Sequence, residues 1–251
     1  MRPFLGVGAA ALAGAALVLA SGSATAGRTD ACGLAAGQGG YTYAGHQASG
    51  LGHGVRATIT LTRRAEVAAG HVASWVGVGG PGQGANGGDA WIQAGVATVP
   101  AMGTMLYAEI TREGRSPQFV QLAEGVPVGR SHKIAVLEMA GRRGWWRIWV
   151  DGKPATGPVH LRGSSGRWSP IATAESWNGG QAACNSFAYR FEGVSVSHGP
   201  GGAWRPFEPG YRFLDSGYRL RRLAASPTAA RSLAARTHVV RPYAFLAASR
   251  S

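Results

Sequence analysis

From Tyr41 to Ser197 the chain repeats one unit: a short run in which apolar side chains alternate with small or polar ones, closed by Gly, Pro, Asn or Ser, recurring every 10–15 residues. Val55–Leu61, His71–Val78, Trp91–Val96, Met105–Ile110, Lys133–Met139, Trp145–Val150, Ile171–Trp177 and Phe187–Val196 follow the pattern. A period of two puts alternate side chains on opposite faces of a strand, and no convincing helical period precedes residue 220. An all-β antiparallel sandwich or barrel is therefore predicted. The glycine-rich Gly79–Gly88 stretch is expected as a flexible loop, and Asp151-Gly152 as a hairpin turn after Trp145–Val150. An apolar fraction of 45% excludes a disordered chain, and a charged fraction of 15% argues against a coiled coil. The length of 251 residues fits one large sandwich or two small domains.

Residues 1–26 read as a secretory signal, with Arg2 at the start, an apolar stretch from Phe4 to Ala20 and a small-residue cleavage site at Ala24-Thr25-Ala26. The stretch falls short of the roughly 20 strongly apolar residues of a membrane span. A secreted, extracellular protein starting at Gly27, with no transmembrane span, is expected. In that compartment Cys32 and Cys184 are expected to pair, the alternative being two unrelated thiols. Closing so long a loop contributes about 4–5 kcal/mol in the chain-entropy model. Two cysteines, seven dispersed histidines and no tight Asp/Asn cluster leave no recognisable metal site, so neither metal nor cofactor is expected.

The formal charge is +13, yet 23 of the 25 basic residues are arginine, with only Lys133 and Lys153 as lysines. This skew looks like coding bias as much as selection for a polyanion. Residues 201–251 hold nine arginines against Glu208 and Asp215, more than half of the excess. The expected organisation is a signal at 1–26, a sandwich over 27–200 and a basic C-terminal extension over 201–251, partly packed or disordered. Trp204–Tyr218 has aromatics enough to pack on the sandwich; Leu220 onward reads as an amphipathic helix or a loose tail. Elsewhere the arginines are scattered, which argues against specific nucleic-acid binding and leaves weak adhesion of the tail to anionic cell-envelope polymers.

Serine-hydrolase, phosphate-binding and zinc-peptidase signatures are missing. Twelve carboxylates exist for acid/base chemistry, and strand parity sorts them. If Ile92, Ala94 and Val96 face the core, Trp91 and Gln93 share the opposite face. If Leu106, Ala108 and Ile110 face the core, Tyr107 and Glu109 point outward. Small inward Ala172 and Ala174 likewise send Thr173, Glu175 and Trp177 outward. Adjoining strands would gather a carboxylate, a carboxamide and several aromatics on one open face, as a groove or as an ordinary solvated sheet.

Ser74-Trp75-Val76-Gly77-Val78-Gly79-Gly80, Trp91-Ile92-Gln93-Ala94-Gly95-Val96, Tyr107-Ala108-Glu109 and Thr173-Ala174-Glu175-Ser176-Trp177 resemble, in order, the successive motifs of the glutamic peptidases, or eqolisins. The resemblance covers about residues 70–196. It implies a concanavalin-A-like β-sandwich with its site on a concave sheet face and no cofactor. It further implies Glu175 as general base and then acid, and Gln93 as the stabiliser of the tetrahedral oxyanion. Trp75 matches the groove tryptophan and Glu109 the third-motif acid. The chain departs from the pattern at Gly79 and Ala97, where the family has Asp, and at Ile110-Thr111-Arg112 and Ser176-Trp177 after the two glutamates.

Two functional readings follow. One is a secreted acid peptidase or diverged hydrolase acting on a polypeptide through Glu175 and Gln93. The other is a non-catalytic module binding extracellular glycan or peptide on an aromatic groove built from Trp75, Trp91, Tyr107 and Trp177, with Trp145 or Trp149 as further candidates. Trp145–Gly152 also resembles the strand and turn of laminin-G-like modules, which supports carbohydrate binding. For Trp146 and Trp149 a core position is the expectation.

Overall fold

Sixteen strands and no helix make up residues 40–177, 184–224 and 242–250, which the computed structural model describes. The first eight are β1 (Tyr41–Ala48), β2 (Gly54–Val67), β3 (His71–Gly80), β4 (Ala90–Val99), β5 (Gly103–Thr111), β6 (Gln118–Glu124), β7 (Ser131–Glu138) and β8 (Trp145–Val150). They are followed by β9 (Lys153–Pro154), β10 (Val159–His160), β11 (Pro170–Trp177), β12 (Asn185–Ser197), β13 (Trp204–Pro206), β14 (Pro209–Leu214), β15 (Tyr218–Arg222) and β16 (Tyr243–Ser249). Every run chosen by alternation is a strand of the structure, because burying one face of each is the only way this pattern removes its apolar side chains from water.

Two antiparallel sheets result. Seven strands run in the order β14-β1-β11-β3-β4-β5-β6, and nine form the second sheet along β10-β8-β7-β2-β12-β16-β15, with β13 added to β12 and β9 to β8. The core fills the space between them: Ile92, Val96, Leu106 and Ile110 of the first sheet meet Ile59, Ile134, Trp146 and Phe191 of the second. Burial of each such side chain contributes about 1.5–3 kcal/mol relative to exposure. Asp151 and Gly152 both have positive φ, at 50° and 81°, and Val150 pairs with Lys153 around them. This is the two-residue turn expected from the Asp-Gly pair, whose twist matches that of the flanking strands.

Two expectations are corrected. The chain beyond residue 200 is not an appendage to the sandwich: β14 forms one edge of the seven-stranded sheet, and β16 lies inside the nine-stranded one between β12 and β15. Tyr218–Arg222 and Tyr243–Ser249 are strands, not a helix or loose tail, because Tyr218, Phe245 and Ala247 alternate into the core, where Phe245 stacks on Phe191 at 4.5 Å. The Gly79–Gly88 segment, expected as flexible, is tied down. Asp89 accepts from Gly82 N, Glu113 from Asn86 N and Gly88 N, and the Trp168 indole donates to Gln83 O.

The signal at 1–26 and Cys32 lie outside the described residues. Cys184, at the entrance to β12, is not free. Among the described residues no helix is long and apolar enough to cross a membrane.

Candidate functional site

The face of the seven-stranded sheet turned away from the core carries a groove with a volume of about 430 Å³. Parity placed four of the predicted residues there and the motif resemblance a fifth, and the structure brings all five to it: Trp75 from β3, Trp91 and Gln93 from β4, Glu109 from β5 and Glu175 from β11. Strand order explains why, since β11, β3, β4 and β5 are consecutive neighbours. Two others differ. Tyr107 is sunk below the groove, stacked on Phe119 at 5.5 Å with its hydroxyl unpartnered among the described residues, and Trp177 stands beside the groove, stacked on His71 at 5.5 Å.

Glu175 is 4% exposed. Its Oε2 accepts a 2.7 Å hydrogen bond from the Trp75 indole, and its Oε1 lies 3.8 Å from His71 Nε2. A second indole–carboxylate pair repeats the motif two strands away, where Trp91 Nε1 donates to Glu109 Oε1 at 2.7 Å. Burial pushes the Glu109 carboxyl above its ordinary range; the Trp91 hydrogen bond opposes this, and repulsion from Glu175 across the groove adds to it. Burial and the same carboxylates hold the Tyr41 and Tyr43 phenols well above their usual range, so both remain protonated donors.

Glu175 and Gln93 sit on strands to either side of β3. Glu175 is paired with Ala73 and Gln93 with Gly77, four residues further along. At the rise of a strand this offsets their backbones by about 13 Å along β3. No hydrogen bond joins the two side chains, and the row between them is Thr173, Trp75 and Gly95. Glycine is required on this floor: a Cβ at Gly95 would stand 1.7 Å from Ser74 O, and one at Gly77 would stand 2.7 Å from Gln93 Cβ. With no side chains at these positions, the Trp75 indole and the two acids occupy the space above the sheet.

The departures from the eqolisin pattern have local causes. Gly79 has φ of +89°, and a Cβ there would stand 2.3 Å from Ala90 O, so an aspartate does not fit. Ala97 belongs to a small apolar cluster with Ala73, Trp75, Met105 and Tyr107, where a carboxylate would be unpaired. Ser176 points to the other face and accepts from Asn185 Nδ2.

Sequence reasoning missed His71, which was grouped with dispersed histidines, and Tyr41, Tyr43 and Phe213, which line the groove. The alternation Tyr41-x-Tyr43 carries a face signal. Phe213 carries none, because its place depends on the pairing of β14 with β1. Trp145 and Trp149 lie on the other sheet, away from the groove, and only Trp146 of the three is core. Among the described residues no group of three or more His, Cys, Asp or Glu is placed to hold a metal ion.

The fold and the site define an antiparallel β-sandwich with a carboxylate-bearing groove on one sheet. Among solved structures the chain is similar to scytalido-glutamic peptidase with a transition-state analogue inhibitor, at 13% identity over 85% of this chain and 100% of that one, with a TM-score of 0.51. At that identity the likeness is one of fold, and the fold is the concanavalin-like sandwich expected from the motifs. Also matched are a member of the eqolisin family of peptidases in complex with the tripeptide Ala-Ile-His and a carbohydrate-binding module from Bacillus subtilis. The first is 13% identical over 85% of this chain and 99% of that one, with a TM-score of 0.45; the second is 12% identical over 50% and 71%, with a TM-score of 0.30. No family model matches the sequence, and no curated protein does.

Proposed function

We propose that this chain is an exported, diverged hydrolase of the glutamic-peptidase kind, acting on a polypeptide laid along the groove. The observation that carries the reading is the setting of Glu175: a nearly buried carboxylate that borders an open groove, held through one oxygen by the Trp75 indole. A fixed carboxylate with a second oxygen facing His71 and the groove is equipped to take and return a proton.

In the proposed reaction Glu175 takes a proton from a water molecule as that water's oxygen bonds to the peptide carbonyl carbon. The carbonyl π pair moves onto oxygen, and the Gln93 amide N–H donates to the oxyanion so formed. Collapse re-forms the carbonyl and breaks the C–N bond while Glu175 returns its proton to the departing nitrogen. Gln93 and Glu175 are offset along β3, so both side chains must reach toward each other over Trp75 for one substrate carbonyl and its water to lie between them. Export through the 1–26 signal and a Cys32–Cys184 disulfide belong to the same proposal.

A second reading, a non-catalytic module for peptide or glycan, is favoured by the groove walls: Tyr41, Tyr43, Trp91 and Phe213 offer ring faces to a ligand. Digestion of a denatured protein in acid, between about pH 3 and about pH 5, separates the two. Cleavage by the wild type and loss of cleavage in Glu175→Gln is the expected result. Equal cleavage by both removes Glu175 from the chemistry, and no cleavage by either, with retained peptide or glycan binding, establishes the module.

A further inference from the structure

The arginines that look scattered along the sequence converge on the outer face of the nine-stranded sheet. Parity sends Arg56 of β2, Lys133 of β7, Arg147 of β8 and Arg190 of β12 away from the core, since their neighbours in each strand are buried, and sends Arg219 and Arg221 of β15 the same way, since they alternate with Tyr218 and Leu220, which pack on the core. Register then aligns them. Arg190, Leu246 and Arg221 form one row across three strands, and Trp149, Ala135 and Arg56 another. Glu192 is interleaved with them, paired to Arg190 at 3.2 Å; Glu66 lies at the end of β2 opposite Ser186, and Asp151 stands at the border in its turn, bound to His132. Arg147 has a buried Nε with no hydrogen-bond partner among the described residues. A guanidinium in that state is a donor awaiting an acceptor.

We infer that this face binds an acidic polysaccharide, a linear polymer bearing carboxylate or sulfate groups. Arginine forks match planar and tetrahedral oxyanions, and the Thr58 hydroxyl between the arginine rows suits sugar hydroxyls. The face disfavours other polyanions. Single-stranded nucleic acid needs open aromatic faces for its bases. Trp145, however, is stacked on His160 at 5.1 Å and has the Arg142 guanidinium over its ring at 4.3 Å, and Trp204 lies under Arg56 at 4.4 Å; Trp149 is half-buried, and a single ring makes no stacking platform for successive bases. Duplex DNA is read by elements that enter a groove, and this sheet face projects none. A bilayer would require protruding apolar side chains, whereas Leu137 and Leu246 are half-buried. The inference is independent of the chemistry in the groove on the opposite sheet.

Isothermal titration of the full chain with polygalacturonate, with neutral dextran, matched duplex DNA and anionic phosphatidylserine vesicles as comparisons, tests it. Polygalacturonate binds, dextran does not, and the affinity falls as salt is raised. The double variant Arg56→Gln/Arg147→Gln binds at least about tenfold more weakly. Should that variant fail to fold, Lys133→Gln/Arg221→Gln, at exposed positions, carries the same expectation. No binding of polygalacturonate at low salt, unchanged affinity in a folded variant, or tighter binding of DNA or vesicles overturns it.

Discussion

Trp75 Nε1 and Glu175 Oε2 are joined by a 2.7 Å hydrogen bond between diagonal neighbours on β3 and β11, with both side chains buried. A carboxylate at this depth would otherwise carry an unsatisfied oxygen. Trp75→Phe keeps the ring and removes the donor, so it is expected to destabilise the fold by about 1–3 kcal/mol in urea unfolding, the penalty for a buried acceptor left without its partner. Unchanged stability would mean that water replaces the indole.

The groove floor admits no side chain at Gly95. Gly95→Ala places a methyl group against the Ser74 carbonyl and must push β3 and β4 apart. The expected result is a loss of more than about 4 kcal/mol, read as failure to accumulate folded protein or as a large drop in Tm.

Two half-buried groups give the stability opposite responses to pH. Burial foremost, with help from Arg212, lowers the His46 imidazole to about 4 from its ordinary 6.5, and the ring lies edge-on to Phe245 and Tyr243. Its folded pKa is below its unfolded one, so the unfolded chain binds more protons between them and stability falls as pH drops from about 6.5 toward 4. His46→Gln is expected to flatten that acid limb in unfolding measured against pH.

Glu109 acts in the opposite sense. Its folded pKa is raised above 4.5, chiefly by burial, so its neutral form stabilises the fold at low pH and that contribution is lost as pH rises through the folded value. Glu109→Gln should remove this loss and gain stability on the high-pH side of the window. The comparison to make is the difference between variant and wild type at pH 4 and at pH 7.

Phe245 is fully buried on β16 and stacked on Phe191. Phe245→Ala is expected to destabilise the fold by about 3–5 kcal/mol, as a cavity in the core does. A loose tail would show no effect.

Much of the site was legible before the structure because a period of two is a statement about faces, and faces survive any arrangement of strands. Trp91 with Gln93, Tyr107 with Glu109, and Thr173 with Glu175 had to share a surface once Ile92, Ala94, Leu106, Ala108, Ala172 and Ala174 were taken as core, and Trp75 followed from the order of motifs. Register is a different kind of information. Nothing local in His71 says that it will face Trp177 on the next strand and so approach Glu175, and nothing in Arg190 says that it will share a row with Arg221. The C-terminal strands were hidden for a further reason: their arginines face water from a sheet, and charge read without parity resembles a solvated tail.

The place of β16 has a consequence for biosynthesis. β12 pairs with β2 on one side, and its other side is covered by β13 at Ser195–Ser197 and closed by β16 from Ala188 to Val194. A chain emerging from its N-terminus therefore displays the open edge of β12, a ready template for pairing with another molecule, until residue 243 and its successors have been made. Nascent or truncated chains that stop short of β16 are expected to depend on chaperones and to aggregate, whereas chains that reach it close their own sheet.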